Sequence, residues 1–258
     1  MGSPLRYTDT GSGGPPLLFV HGLACDRRAW EPQLADLSRD HRCISVDLRG
    51  RGETPATPPY GMATAAADLA ALLDDLGLER VVVIGHSLGG VIALLLNELV
   101  PERVMGVVAG DSPIYGEWKP GSSQLPARIR EQGTAAGLGP MVESFFVEGT
   151  PEPVRQYVRG VMLSCPPDIA AGMLEDADEV FTRMEALVRL ADSKPFMAIW
   201  AERPLGHPAW LRSVTRFARQ EPVAGAGHFF QLERPDLTNA LIRSFLDDVA
   251  NDPRLAAR

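Results

Sequence analysis

Cysteine is scarce in this chain: Cys25, Cys43 and Cys165 are the only three, odd in number and widely spaced. They fit neither a disulfide framework nor a metal-ligand pattern, and they favour a reducing, cytoplasmic setting. Cations are also in short supply, with 25 Lys and Arg against 33 Asp and Glu, and they are scattered. No basic stripe exists to neutralise phosphates, which argues against a nucleic-acid partner. No apolar run approaches the roughly 18 residues of a membrane helix, so no membrane partner is expected. Met1 to Gly14 has no secretory-type apolar core and reads instead as an early strand, Leu5–Thr8, with its turn. The five histidines include no pair at helical ligand spacing, so no metal or other cofactor is expected. Internal repeats are absent.

What remains is enough for one sizeable core. At 258 residues and 45% apolar content, one domain with an inserted subdomain fits better than two independent domains. Short apolar runs at Leu17–Val20, Cys43–Val46, Val81–Ile84, Arg103–Ala109, Pro195–Ala201 and Gln220–Ala224 read as strands. Between them lie helical patterns at Trp30–Leu37, Met62–Leu76 and Val91–Leu99, then Thr215–Phe217 and an amphipathic Leu237–Val249. Such alternation means a parallel sheet covered on both faces, with its functional loops at the carboxyl edge. Ser112 to Leu190 breaks the alternation. It offers helical pieces at Pro126–Gln132, Pro140–Phe146 and Pro153–Leu163, and a longer one at Asp168–Leu190 with room for a break.

The rest of the chain is arranged around Gly85-His86-Ser87-Leu88-Gly89-Gly90. A buried strand, G-x-S-x-G and a helix are the setting of a nucleophile elbow. Ser87 must reverse the chain within about one residue, at a positive φ costing on the order of 1–3 kcal/mol. Small residues at Gly85 and Gly89 let strand and helix backbones pass closely. An idle serine in a glycine-rich turn is the simpler reading, and the flanking strand and helix argue against it.

Four motifs then fall in order: His21-Gly22, Asp47-Leu48-Arg49-Gly50-Arg51-Gly52, the serine elbow, and Gly225-Ala226-Gly227-His228. Together with Glu233, Pro235, Asn239 and Phe245 in the tail, they resemble the α/β-hydrolase family nearly end to end. The resemblance implies an α/β fold with a doubly wound, mostly parallel sheet. Its nominal eight strands are here short of the first one or two, under an inserted helical cap. Residues 1–111 and 191–258 would form the core and 112–190 the cap.

The chemistry follows residue by residue. An alcohol is a poor nucleophile without a base in reach, and the resemblance assigns that base to His228. The oxyanion would be met by the backbone N–H of Leu88, at a helix N-terminus, and by that of Leu23, the family's second donor. Each such donor is worth about 2.7–4 kcal/mol in the transition state. The His21 ring is expected only to brace its loop, and Leu23 and Cys25 to wall the acyl pocket. His86 is expected to pack under the elbow, and His41 and His207 to have no chemical role.

The acid departs from the common pattern. After the post-cap strand the family's usual aspartate is missing, and Trp200-Ala201-Glu202-Arg203-Pro204 stands in its place. Asp111, 24 residues past Ser87 at the end of the next strand, is the preferred acid; some relatives take theirs from that strand. Glu202 is the fallback, and a capping role for Asp111 is the simpler alternative. Asp47, Arg49 and Arg51 are expected to brace a loop as an Asp–Arg pair. Asp74-Asp75 and Glu175-Asp176 are expected to be solvated surface.

A serine rather than an aspartate nucleophile argues against epoxide or haloalkane hydrolysis. It favours acyl transfer to water from a small or medium-sized, apolar carboxylic ester or lactone as small-molecule substrate. Rival functions are a cyanohydrin lyase, a cofactor-free oxygenase and a ligand-binding receptor. The cap supplies Met141, Phe145, Phe146, Tyr157, Met162, Met173, Phe181 and Met184, with Trp118 near its hinge. Most of these are expected in the cap's own core rather than facing a pocket.

Overall fold

A computed structural model of the protein describes residues 5–256. Strands β1 (Arg6–Thr10), β2 (Leu17–Val20), β3 (Cys43–Asp47), β4 (Val81–His86), β5 (Val104–Gly110), β6 (Phe196–Trp200) and β7 (Arg219–Pro222) make one sheet, ordered β1-β3-β2-β4-β5-β6-β7. Only β1 runs antiparallel, against β3; every other pair is parallel. Among the described residues the sheet has seven strands, against the nominal eight that the resemblance implies.

Helices α1 (Glu31–Leu37), α2 (Met62–Asp75) and α3 (Leu88–Leu99) belong to the core. Six more follow between β5 and β6: α4 (Leu125–Gln132), α5 (Thr134–Ser144), α6 (Glu152–Leu163), α7 (Pro167–Gly172), α8 (Ala177–Thr182) and α9 (Met184–Ala191). This helical insert is the cap. The chain closes with α10 (Pro208–Val214), α11 (Phe230–Glu233), α12 (Pro235–Ala250) and α13 (Pro253–Ala256).

Residues of β2, β3, β4 and β6 are buried without interruption, as strands covered on both faces must be. Their side chains still divide by parity. Leu18, Val20, Val81 and Val83 join the core shared with α2, α3 and the cap, whereas Leu17, Phe19, Val82 and Ile84 join the core under α1 and α12. Arg219-Gln220-Glu221-Pro222 is a polar edge strand, displaced from the expected Gln220–Ala224. Charge and proline at such an edge discourage further pairing.

The sheet order sets the site. From β2 the chain moves outward to β3 and returns across β2 to β4, so the loops after β2 and β4 diverge. A crevice at such a reversal, at the carboxyl ends of the strands, is where open α/β sheets take ligands.

Four expectations fail for physical reasons. α3 begins at Leu88 rather than Val91 because Gly89 and Gly90 are packing glycines: a Cβ on them would collide with Val20 O and Ser112 Oγ. α5 begins at Thr134 and carries Pro140 inside, where a proline usually opens a helix. Thr215–Phe217 is not helical, because Asp192 draws the amides of Arg216 and Phe217 to its carboxylate at 2.6 and 2.9 Å; the helix is α10, just before it. Glu175 and Asp176 are not idle surface. Glu175 accepts from Tyr60 N and Gly61 N at 3.0 and 3.1 Å, and Asp176 from Met62 N and Ala63 N at 3.0 and 2.8 Å. Two cap carboxylates thereby cap α2, a helix of the core, whose own N-terminus at Gly61 has no side-chain cap.

Candidate active site

Ser87 sits between β4 and α3 at φ 55°, ψ −123°, the positive-φ turn that the elbow requires. The turn closes because Gly85 and Gly89 lack side chains: a Cβ on Gly85 would strike Gly89 O, and one on Gly89 would strike Val20 O. Ser87 N donates to Gly110 O at 2.7 Å, tying the elbow to β5. Leu88 is the first residue of α3, so its N–H has no carbonyl one turn back within the helix. Leu23 lies at the second position of the turn closed by Cys25 N donating to Gly22 O at 3.2 Å. Gly22 lies against Ser87 closely enough that a Cβ there would come within 2.9 Å of the serine Cβ.

His228 Nδ1 lies 2.6 Å from Asp111 Oδ2, with both side chains buried. The other carboxylate oxygen, Oδ1, accepts from Ala201 N at 3.3 Å and Leu205 N at 3.1 Å. Asp111 also takes a positive φ, 40°, at the end of β5, and its N–H donates to Ile199 O at 2.7 Å. The loop after β6, where the usual acid is missing, thus donates two amides to a carboxylate from the neighbouring strand. Asp111 is no simple cap for Ser112-Pro113.

Glu202 turns away. Its Oε2 accepts from Gly225 N at 2.8 Å at the protein surface, so it braces the histidine loop from outside. Glu233 braces the same loop, accepting from Gly227 N and from the Thr150 hydroxyl, each at 3.0 Å.

The other histidines divide by environment. His21 Nε2 accepts from Leu48 N at 3.1 Å, so Nδ1 carries the proton and donates to Gly22 O at 2.8 Å. Burial lowers its pKa to about 4. His86 Nε2 donates to the His228 carbonyl at 2.8 Å beneath the elbow, and burial holds its pKa well below the ordinary range. His41 Nδ1 is bonded to Pro15 O at 3.1 Å. His207 sets its ring edge against Tyr115, with centroids 5.4 Å apart.

Asp47 is a brace, but with different partners from those its motif suggests. It pairs with Arg27, whose N–H it also accepts at 2.8 Å, and it takes the N–H of Glu53 at 2.9 Å. Arg49 pairs with Asp68, and Arg51 donates to Cys25 O and Val161 O at 2.9 and 3.0 Å.

Ser87, Leu88, Leu23, Cys25 and His228 line one cavity of about 180 Å³. Met141, Phe145, Met162 and Phe181 of the cap and Trp118 at its hinge also line it, so more of the cap's large apolar residues face the cavity than expected. The sequence offered Phe145 only as one of eight large apolar cap residues, with no sign of a tie to the histidine. Its ring stacks on the His228 imidazole, centroids 4.1 Å apart and planes 26° from parallel. Its carbonyl accepts the His228 N–H at 2.9 Å.

Among the described residues no cluster of three His, Cys, Asp or Glu side chains could hold a metal ion, and Cys25, Cys43 and Cys165 are buried and unpaired. No helix among those residues is long and apolar enough to cross a membrane.

Comparison with known proteins agrees with this architecture. A thermophilic esterase from Thermogutta terrifontis superimposes with a TM-score of 0.85 at 28% identity, over 95% of this chain and 93% of that one. Esterase YbfF of Escherichia coli is 26% identical over 90% of this chain and 93% of its own length. Epoxide hydrolase 4 of Mus musculus is 23% identical over 96% of this chain and 77% of its own. Residues 17–241 match the model of the alpha/beta hydrolase family, and with its sheet, serine elbow and inserted cap the chain belongs to that family.

Proposed function

We propose that this protein is a serine hydrolase that cleaves a small or medium-sized carboxylic ester or lactone through an acyl-enzyme. Ser87 is the nucleophile, His228 the base and Asp111 the acid that orients it. The 2.6 Å bond between His228 Nδ1 and Asp111, beside an elbow serine in the same cavity, is the observation that carries this reading.

Asp111 accepts from Nδ1–H, which leaves His228 Nε2 unprotonated and able to take the serine proton. Ser87 Oγ attacks the carbonyl carbon, and the proton passes to Nε2. The N–H groups of Leu23 and Leu88 stabilise the oxyanion. The alkoxide departs with the proton from Nε2, leaving the acyl group on Ser87. Water then attacks, giving its proton to Nε2; collapse releases the carboxylic acid and returns the proton to Ser87. The cap, taken as residues 112–190 over a core of 1–111 and 191–258, keeps bulk water from the oxyanion contacts.

Epoxide opening in this fold needs a carboxylate nucleophile, and the elbow here carries serine. Release of p-nitrophenol from p-nitrophenyl butyrate tests the reading. Wild type turns over with a burst, and Ser87→Ala is inactive. Absence of turnover, with oxygen uptake on a heteroaromatic substrate instead, would reassign the site to cofactor-free oxygenation.

A further inference from the structure

The cavity over Ser87 has two chemically unlike sides, and none of its lining residues is Asp, Glu, Lys or Arg. β4, which delivers Ser87, lies between β2 and β5, so the loops after those two strands flank the serine on opposite sides. On the β2 side stand Leu23 and Cys25. Arg51 bridges the carbonyls of Cys25 and Val161 at 2.9 and 3.0 Å, which brings Met162 to that same side. This side is aliphatic and sulfur-lined. Burial pushes the Cys25 thiol pKa up, so it presents a neutral S–H rather than a thiolate.

The β5 side carries a cluster of three rings beside the smaller Pro113, Ser123 and Leu125. Tyr115 and Trp118 lie nearly parallel, with centroids 6.4 Å apart and planes 16° from parallel. Phe181 from α8 meets both, at 4.7 Å from Trp118 and 5.9 Å from Tyr115. All three line the cavity. The indole is fixed in place, because its Nε1–H donates to Asp178 Oδ1 at 2.8 Å while Oδ2 takes Gly121 N at 2.8 Å. With its one polar group satisfied by Asp178, Trp118 offers the cavity hydrocarbon and ring surface. Such a wall holds another ring in tilted or offset contact better than a saturated group of equal size.

We infer that the substrate is an uncharged carboxylic ester with an aryl group on one side of the scissile bond and a short aliphatic group on the other. The aryl group seats against Tyr115, Trp118 and Phe181, and the aliphatic group against Leu23, Cys25 and Met162. A charged substituent on either arm would be desolvated with no counter-charge among the lining residues. This inference rests on the hydrolase reading above and deepens it.

The test uses two aryl esters, benzyl propanoate and ethyl phenylacetate. Each is paired with its saturated counterpart, cyclohexylmethyl propanoate and ethyl cyclohexylacetate; 4-carboxybenzyl propanoate probes charge. For wild type, at least one aryl ester should exceed its counterpart in kcat/KM by about three- to tenfold. The carboxylated ester should fall about a hundredfold or more below benzyl propanoate. In Trp118→Leu the aryl-to-saturated ratio should fall to near one; Phe181→Leu serves the same purpose should the first variant fail to fold. Ratios at or below one for both pairs, or equal turnover of the carboxylated ester, would overturn the inference. Calorimetric binding of benzyl propanoate and cyclohexylmethyl propanoate to Ser87→Ala gives a second readout, independent of turnover. If wild type hydrolyses no ester, the hydrolase reading fails, and the binding ratio alone decides whether the aromatic subsite exists.

Discussion

Phe145, a residue of the cap, holds His228, a residue of the core, by ring and backbone together: the rings stack at 4.1 Å and the Phe145 carbonyl accepts the His228 N–H at 2.9 Å. Arg203, from the loop after β6, donates to the carbonyl of Phe146 at 2.7 Å and fastens the same piece of cap. The proposed base is therefore cradled partly by the lid, and cap position and base position are mechanically linked. In the transition state the imidazole becomes a cation over an aromatic face, a contact worth up to about 2 kcal/mol when desolvated. Phe145→Ala should lower kcat about tenfold, and Phe145→Trp should restore most of it. Steady-state kinetics on a short acyl ester would check this; an unchanged kcat in Phe145→Ala would remove Phe145 from the machinery.

The placement of the acid makes a sharper claim. Asp111→Asn keeps the shape of the carboxylate but favours the wrong imidazole tautomer, so kcat should fall on the order of 10³- to 10⁴-fold. Glu202→Gln should change kcat by less than about threefold, since the Glu202 carboxylate faces the surface and accepts from the amide of Gly225. Side-by-side kinetics of the two variants decide between them. A dead Glu202→Gln with an active Asp111→Asn would reverse the assignment.

The parts of this molecule that were readable in sequence are those fixed by local backbone geometry. Gly85-x-Ser87-x-Gly89 announces its turn because small residues at that spacing let β4 and α3 pass, and the buried strands β2 to β6 announce themselves as short apolar runs, whereas β1 and β7 are polar. Asp111 was reachable as a candidate only through the family resemblance: the aspartate usual directly after β6 is missing, with Trp200-Ala201-Glu202-Arg203-Pro204 in its place, and some relatives take their acid from the end of the preceding strand. Partnerships across long sequence separations were not readable. Phe145 lies 83 residues before His228, just past the end of α5, with no distinguishing pattern around it. Asp47 takes Arg27 rather than an arginine of its own motif. Glu175 and Asp176 look like a solvated pair until the fold brings the start of α2 beneath them.

That last contact is measurable. Four amides at the start of α2 are met by two carboxylates from more than 110 residues away, and losing a side-chain cap typically costs ~1 kcal/mol. Asp176→Ala should destabilise the protein by about 1–2 kcal/mol, and Glu175→Ala by a similar or smaller amount. Because the two act on one helix end, the double variant should depart from additivity. Urea unfolding of the two single variants and the double variant provides the cycle. Strict additivity with negligible single effects would show that the cap contact contributes nothing to stability.

The buried histidines predict a window of acid sensitivity distinct from that of the carboxylates. His21 titrates near 6.5 in the unfolded chain and at about 4 in the folded one, and His86 is lowered in the same direction, both through burial. Between those values the unfolded chain binds more protons, so stability rises with pH across that interval. Above pH 6.5 both forms of His21 are neutral and its contribution is complete; it is lost as pH falls from 6.5 towards 4. Of the groups around His21, Asp47 and Asp26 oppose the downward shift and Arg51 adds to it, and desolvation outweighs them. Asp26 is itself lowered from 3.8 despite its burial, because Arg28 bonds and pairs with the carboxylate, so its loss begins only at lower pH. Denaturant unfolding from pH 7.5 to 4 should therefore be flat above 6.5 and decline steadily below it. His21→Asn should make that decline shallower; a wild-type profile flat down to pH 4.5 would mean that neither imidazole is held neutral by the fold.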